Sequence, residues 1–378
     1  VLIGSFSDTE LHEVVNELYI DDMVDIVEEM PANVVKRILE NSDSNTRQLI
    51  NEILKYPQDS AGSIMTTEFI TLHANMTVGE AIKRIREKGL DSETIETCYV
   101  TDSVRHLIGF VTIRTIILSD ENAKIEDVMN RNVISVGTTE DQEAVANLFA
   151  RYDLTVLPVV DNEKRIVGIV TVDDAIDVLQ KEATEDIEKM AAITPTDKPY
   201  LKKTAFEIWK SRIPWLLILM ISATFTGMII SRFEDALKTY VILTAYIPML
   251  MDTGGNSGSQ ASVTVIRSLS LHELSFSDIF RVVWKEFRVA FLCSVTLALV
   301  YFLKLMLFEG TGIYVALVIC ITLILTVFVA KLVGCILPMA AKKIGFDPAV
   351  MASPFITTIV DAISLLIYFN IASLVLHI

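Results

Sequence analysis

Five stretches between Ile213 and Ile378 each approach the run of about 20 apolar residues that a bilayer crossing needs. They are Ile213–Ile230, Thr239–Ile266, Val289–Phe308, Thr311–Ala330 with a continuation towards Ala341, and Ala349–Ile378. In lipid every backbone polar group must find a partner inside the protein, so such segments fold as helices. The rest of the chain has the opposite character. Residues 1–199 hold 38 Asp and Glu against 18 Lys and Arg, whereas residues 200–378 hold 10 against 14. An acidic soluble region therefore precedes a membrane region. Its negative field repels nucleic acid and gathers cations. The four cysteines, Cys98, Cys293, Cys320 and Cys335, have neither disulfide nor zinc-ligand spacing. No leader peptide is evident and the chain starts at Val1, so a truncated beginning is expected.

Basic residues set the expected orientation. Arg267, Arg281, Lys285 and Arg288 lie between the second and third spans, and Lys342 and Lys343 between the fourth and fifth. The excess of Lys and Arg in cytoplasmic loops puts these connections and the N-terminal region in the cytosol. Five spans then leave the C-terminus outside a multi-pass protein of the cell (cytoplasmic, or inner) membrane.

Asp361 is the only charged residue between Pro348 and Ile378. A carboxylate within a spanning helix costs roughly 2.5–3.5 kcal/mol on insertion scales and usually faces a water-filled path. At helical spacing it shares a face with Ser353, Pro354, Thr357, Ser364 and Tyr368. Either this stripe lines an ion path, or Asp361 makes a helix–helix hydrogen bond. The second span contains Pro248, Asp252 and the run Gly254-Gly255-Asn256-Ser257-Gly258-Ser259-Gln260. One reading is irregular backbone lining water, with freed carbonyls as ligands; the other is a tight helix-packing motif of small residues.

The soluble region repeats itself. Met65-Thr-Thr-Glu-Phe-Ile-Thr-Leu is echoed by Met129-Asn-Arg-Asn-Val-Ile-Ser-Val, and Gly109-Phe-Val-Thr-Ile by Gly168-Ile-Val-Thr-Val. Each unit reads as strand, helix, two strands and helix, which resembles a pair of CBS modules. That resemblance implies a regulatory unit and allows an adenine nucleotide such as ATP at Thr171 and Asp174. Before the repeat, apolar residues at helical spacing (Leu11, Val14, Val15, Leu18 and onward) read as short amphipathic helices. Asp21, Asp22, Asp25, Glu28 and Glu29 crowd the second of these, and a further acidic run spans Val172–Ala192. These are either solvated faces or sites where a divalent ion relieves repulsion between carboxylates.

The whole set of motifs resembles the MgtE family of magnesium channels: an acidic helical domain, a CBS pair, Thr184-Glu185-Asp186-Ile187, Pro248 with Gly254-Gly255-Asn256, and Asp347-Pro348-Ala349 followed by Pro354 and Asp361. The likeness covers essentially the whole chain. It implies a multi-domain α plus α/β membrane protein with an acidic helical domain at 1–60 (shorter than the family's, as if its beginning were missing), CBS modules at 61–120 and 121–180, a connector helix with its linker at 172–206, and a five-helix membrane domain at 207–378. It also implies a homodimer with one ion path, closed by cytosolic Mg2+. The implied pore residues are Asp361, Thr357, Ser353, Asn256, Gly254 and Gly255. Many members carry Asn where this chain has Ser353. The implied sensor acids are Asp21, Asp25, Asp141, Glu143, Asp153, Asp174, Asp177, Glu185 and Asp186. The rival readings are a channel for another divalent ion such as Co2+ or Ni2+, and a CBS-type ligand sensor that does not conduct. No catalytic constellation is evident: the five histidines are scattered and no nucleophile–base pairing stands out.

Overall fold

The computed structural model describes residues 6–196, 198–351 and 353–377. The chain divides into two compact units, residues 1–182 and 183–378.

The first unit opens with four ten-residue helices: α1 (Asp8–Glu17), α2 (Ile20–Glu29), α3 (Ala32–Asn41) and α4 (Ser44–Ile53). Local chemistry sets their starts. Ser7 and Glu10 form a capping box on α1, and the Asp43 carboxylate accepts from the Thr46 amide at 2.6 Å at the start of α4. Their apolar faces close on Leu11, Val15, Ile20, Met23, Val24, Ile38, Ile50 and Ile53.

Two modules of the same design follow. The first contains β1 (Phe69–His73), α5 (Val78–Lys88), β2 (Thr94–Thr101), β3 (Leu107–Thr112) and α6 (Ile113–Leu118), then the short turn α7 (Ile125–Val128). The second contains β4 (Val136–Gly137), α8 (Gln142–Tyr152), β5 (Val156–Val160), β6 (Ile166–Thr171) and α9 (Val172–Met190). In each sheet the first two strands are parallel and the last two antiparallel. The modules exchange their leading segments. Ala61 and Met65 lie in the core of the second module, and Met129 packs against that of the first. Gly168 and Gly109 permit this: a Cβ on Gly109 would stand 2.8 Å from the Met129 sulfur, and one on Gly168 would run into that of Met65.

The second unit holds the end of α9 and the long helices α10 (Ala205–Arg232), α12 (Ile247–Ser270), α13 (Ile279–Lys304), α14 (Ile313–Lys343) and α15 (Ser353–Leu376), with a short α11 (Glu234–Thr239) after α10. Among the described residues, four helices are long and apolar enough to cross a membrane: α10, α14, and the helical segments containing α13 and α15. At 24 residues α12 spans about 36 Å, ample for a crossing, but its polar residues exclude it from that group. It is nonetheless central, being packed against both α14 and α15. The helices run past the apolar cores seen in the sequence, because their polar ends stay helical outside the hydrocarbon.

Candidate ion path and sensor acids

The glycine run of α12 does not interrupt it. The helix is continuous from Ile247 to Ser270, with Pro248 in its first turn, where a missing amide costs nothing. The expectation of freed carbonyls is therefore corrected: those oxygens belong to the helical ladder, and the glycines form a packing seam. A Cβ on Gly254 would stand 2.7 Å from the Thr326 methyl and 2.9 Å from Val360, and one on Gly255 would stand 2.9 Å from the Thr357 methyl. Gly258 is closed off by Ile356 and the Ala330 carbonyl, and Gly334 of α14 is pressed against the Gly258 backbone. The seam seats α12 directly on α14 and α15.

Packing these glycines inward turns the other face of α12 outward. Asp252, Asn256, Gln260 and Thr264, at intervals of four, are all exposed. A polar stripe on a helix central to a membrane domain faces water or protein, not lipid. Asp361, half-buried on α15, feels the charge of Asp252 across this face. Asp252 is thus a partner that the residue pattern of α15 alone could not reveal; its signal was its place four residues before Asn256.

The hydroxyl stripe expected around Asp361 is split by the packing. Thr357 donates to the Pro354 carbonyl at 3.0 Å and stands beside Gly255. Ser364 is buried against Gly254 with no hydrogen-bond partner, and Tyr368 is buried with its hydroxyl donating to the Leu243 carbonyl at 2.9 Å. Ser364 and Tyr368 therefore face the helix bundle, not a common water path. The Ser353 side chain lies outside the described residues.

In the first unit, α2 brings Asp21 and Asp22 towards Glu68 and Glu93 of the first module and Asp173 and Asp174 of α9. The Glu68 carboxylate accepts from the Ile20 amide at 3.0 Å, anchoring the start of α2. Burial, then the charges of Asp174 and Glu93, push Asp21 up to about 8. Burial, then Asp173 and Asp174, push Glu93 up to about 7, and its Oε2 is buried without a hydrogen-bond partner. Burial also raises Asp174, although Thr171 donates to its Oδ2 at 2.5 Å. Excess negative charge in partly dry surroundings favours the neutral acids or a cation. Glu68 and Glu93 had no helical periodicity to mark them in the sequence; only the fold brings them here.

The other expected sensor acids are placed differently. Asp141 caps α8, accepting from the Glu143 and Ala144 amides at 2.9 and 3.3 Å. Asp153 closes the same helix in the left-handed conformation and is exposed, as are Asp25 and Asp177, while Glu143 is half-buried. Among the described residues, no three His, Cys, Asp or Glu side chains converge into a ready-made metal site.

In the second unit the end of α9 is tied to the membrane helices. Lys189 pairs with Glu185 and with the Asp347 Oδ2 at 2.6 Å. Burial opposes its charge, but the bonds from Asp347 and Glu185 outweigh this and raise its pKa. Asp186 accepts from Ser270 at 3.2 Å, and burial raises its pKa. Met190 packs on Ile266 and Ala349. Asp347 therefore joins Glu185 and Asp186, a role that its place before Pro348 did not reveal.

Comparison with known proteins places this geometry. The family model for the MgtE divalent cation transporter matches residues 247–371, that for the MgtE intracellular N domain residues 1–59, and that for the CBS domain residues 61–121 and 125–181. The magnesium transporter MgtE of Thermus thermophilus is 39% identical over 95% of this chain and 80% of its own. That of Bacillus subtilis is 35% identical over 100% and 83% respectively. The crystal structure of the soluble part of a magnesium transporter matches with a TM-score of 0.46 at 36% identity, over 48% of this chain and 71% of that one. With two relatives above 30% identity matched over at least 80% of their own length, the chain belongs to the MgtE family of magnesium transporters.

Proposed function

We propose that the protein is a Mg2+-selective channel that takes up magnesium across the cytoplasmic membrane and is closed by cytosolic Mg2+. The observation that carries the path is the exposed polar stripe Asp252, Asn256, Gln260 and Thr264 on α12, whose Asp252 acts electrostatically on the half-buried Asp361 of α15. Mg2+ sheds water reluctantly and demands six oxygens in octahedral geometry. One carboxylate per chain cannot supply these, so the ion passes largely hydrated, held by Asp361 with Asn256 and the region of Thr357 and Ser353 as outer contacts. Gly254 and Gly255 act by bringing α12 close to α15. In a homodimer with the path on its axis, two Asp361 carboxylates balance one divalent ion. Binding must attract the ion yet release it.

Closure is assigned to the acids outside the membrane, with the N-terminal unit in the cytosol and the C-terminus outside. At low Mg2+ the cluster of Asp21, Asp22, Glu93, Asp173 and Asp174 repels itself. Hydrated Mg2+ bridging these groups favours the state that brings them together. Asp25, Asp141, Glu143, Asp153 and Asp177 extend the acidic surface, while Glu185 and Asp186 carry the response through α9 to Asp347. The shift is set by differential affinity for the two states, and several weak sites add. An adenine nucleotide at Thr171 and Asp174 is a separate proposal; its ribose would have to displace the Thr171–Asp174 bond. Bound radiolabelled ATP lost in T171A tests it.

The deciding experiment is Mg2+ flux into liposomes holding the full chain, with Asp361→Ala alongside. Flux by the parent and none by a folded D361A supports the path. Equal flux assigns it elsewhere, and no flux from either protein supports a sensor that does not conduct. Competition by Co2+, Ni2+ and Ca2+ tests selectivity.

A further inference from the structure

The first three turns of α13 carry a feature that neither the ion path nor the acids use. Phe280, Trp284, Phe287 and Phe291 recur at offsets of four, three and four and are 85%, 60%, 42% and 54% exposed. Trp284 stacks on Phe287 with centroids 5.7 Å apart, and Phe287 leans on Phe328 of α14 at 5.1 Å. Alongside runs a basic row, Arg281, Lys285 and Arg288. Arg281 neighbours Trp284 and Lys285, and Arg288 neighbours the same two, each at an offset of three or four, so the four residues form one patch.

Among the described residues, two of the three cations in this row have no acid against them. Glu286, the acid among them in sequence, turns the other way to the buried Lys331. Arg281 reaches Asp278 at 3.2 Å, but Lys285 and Arg288 are exposed and, among the described residues, have no ion-pair partner. Beyond Arg288 the same exposed face becomes largely apolar: Leu292, Val295 and Leu299 follow at 66%, 42% and 60% exposure, and the exposed Thr296 among them donates its hydroxyl to the Leu292 carbonyl. Cations and an indole N–H at one end, with an apolar track leading from them, match the layout of a phospholipid at the interface.

We propose that this patch binds the headgroup of an anionic phospholipid, its phosphate held by Lys285, Arg288 and the Trp284 N–H and its acyl chains lying along Phe291, Leu292 and Val295. Charge complementarity selects this occupant. A second copy meeting the same face about a two-fold axis would set Lys285 and Arg288 against themselves. A zwitterionic lipid would leave the basic row without net compensation. The inference does not depend on which side of the membrane this end occupies.

The test is thermal unfolding of the purified full chain in detergent with added phosphatidylglycerol, phosphatidylcholine or inorganic phosphate. Stabilisation by phosphatidylglycerol alone is expected, with apparent affinity falling about tenfold or more in K285Q/R288Q and less in W284F. K285R/R288K, which keeps the charges, should retain the effect. Equal stabilisation by phosphatidylcholine, stabilisation by phosphate alone, or an undiminished response in folded K285Q/R288Q would each overturn it. If K285Q/R288Q does not fold, a response of K285R/R288K equal to the parent's and weakened by salt supports the site, and a response indifferent to salt overturns it.

Discussion

Lys331 of α14 and Glu286 of α13 face each other within the membrane domain at 4.0 Å, with only 5% and 15% of their side chains exposed. Glu286 Oε2 has no hydrogen-bond partner, so the ammonium of Lys331 is its compensation. Removing one member leaves a buried charge. K331M or E286Q should destabilise the fold by about 3–5 kcal/mol, whereas K331M/E286M should be far closer to the parent. Unfolding of the three variants in detergent checks this; a double variant as unstable as the singles would contradict it.

Gly255 is required by a methyl group, and that makes a second-site rescue available. A new Cβ there meets the Thr357 Cγ2 at 2.9 Å but the Thr357 Cβ only at 3.4 Å. G255A should cost about 1–3 kcal/mol. G255A/T357S, which deletes the methyl and keeps the hydroxyl that bonds Pro354, should recover much of it.

With Asp21 at about 8 and Glu93 at about 7, the Mg2+ binding proposed for this cluster should release protons. Both values are raised above the ordinary 3.8 and 4.5. Their neutral forms therefore favour the folded cluster below about pH 4, and this advantage is lost as pH rises through 7 to 8. Mg2+ restores it. The Mg2+ concentration that protects the full chain from limited proteolysis should fall between pH 6 and pH 8, and D21N should flatten that dependence.

Lys189 holds Glu185 and Asp347 together with a tethered cation. K189Q should loosen the end of α9, read as faster amide exchange over residues 183–192. Added Mg2+ should restore protection, because the same carboxylates then gather around an ion instead. D347N should loosen the segment and remain insensitive to Mg2+.

Asp141 caps a helix, so its removal should have a cost unrelated to metal. D141A should lose about 1 kcal/mol with or without Mg2+, while D141N, which keeps the capping oxygen, loses much less. Chemical denaturation at two Mg2+ concentrations separates the roles.

The bilayer segments, the repeated module, the short amphipathic helices of the N-terminal domain and the singular position of Asp361 were all legible in the chain itself. Each is a periodicity or a composition within one element, and backbone geometry converts it directly into a face or a span. What only the tertiary structure decided is convergence. It made the glycine run of α12 a seam instead of a break, and thereby turned Asp252 towards Asp361. It withdrew Ser364 and Tyr368 into the bundle, gathered Glu68 and Glu93 with Asp21 and Asp174 while leaving Asp153 and Asp177 in solvent, and set Asp347 against Lys189. These outcomes depend on which faces of separate helices and strands pack together. Residues far apart in sequence carry no shared period, and packing alone sets which carboxylates become neighbours.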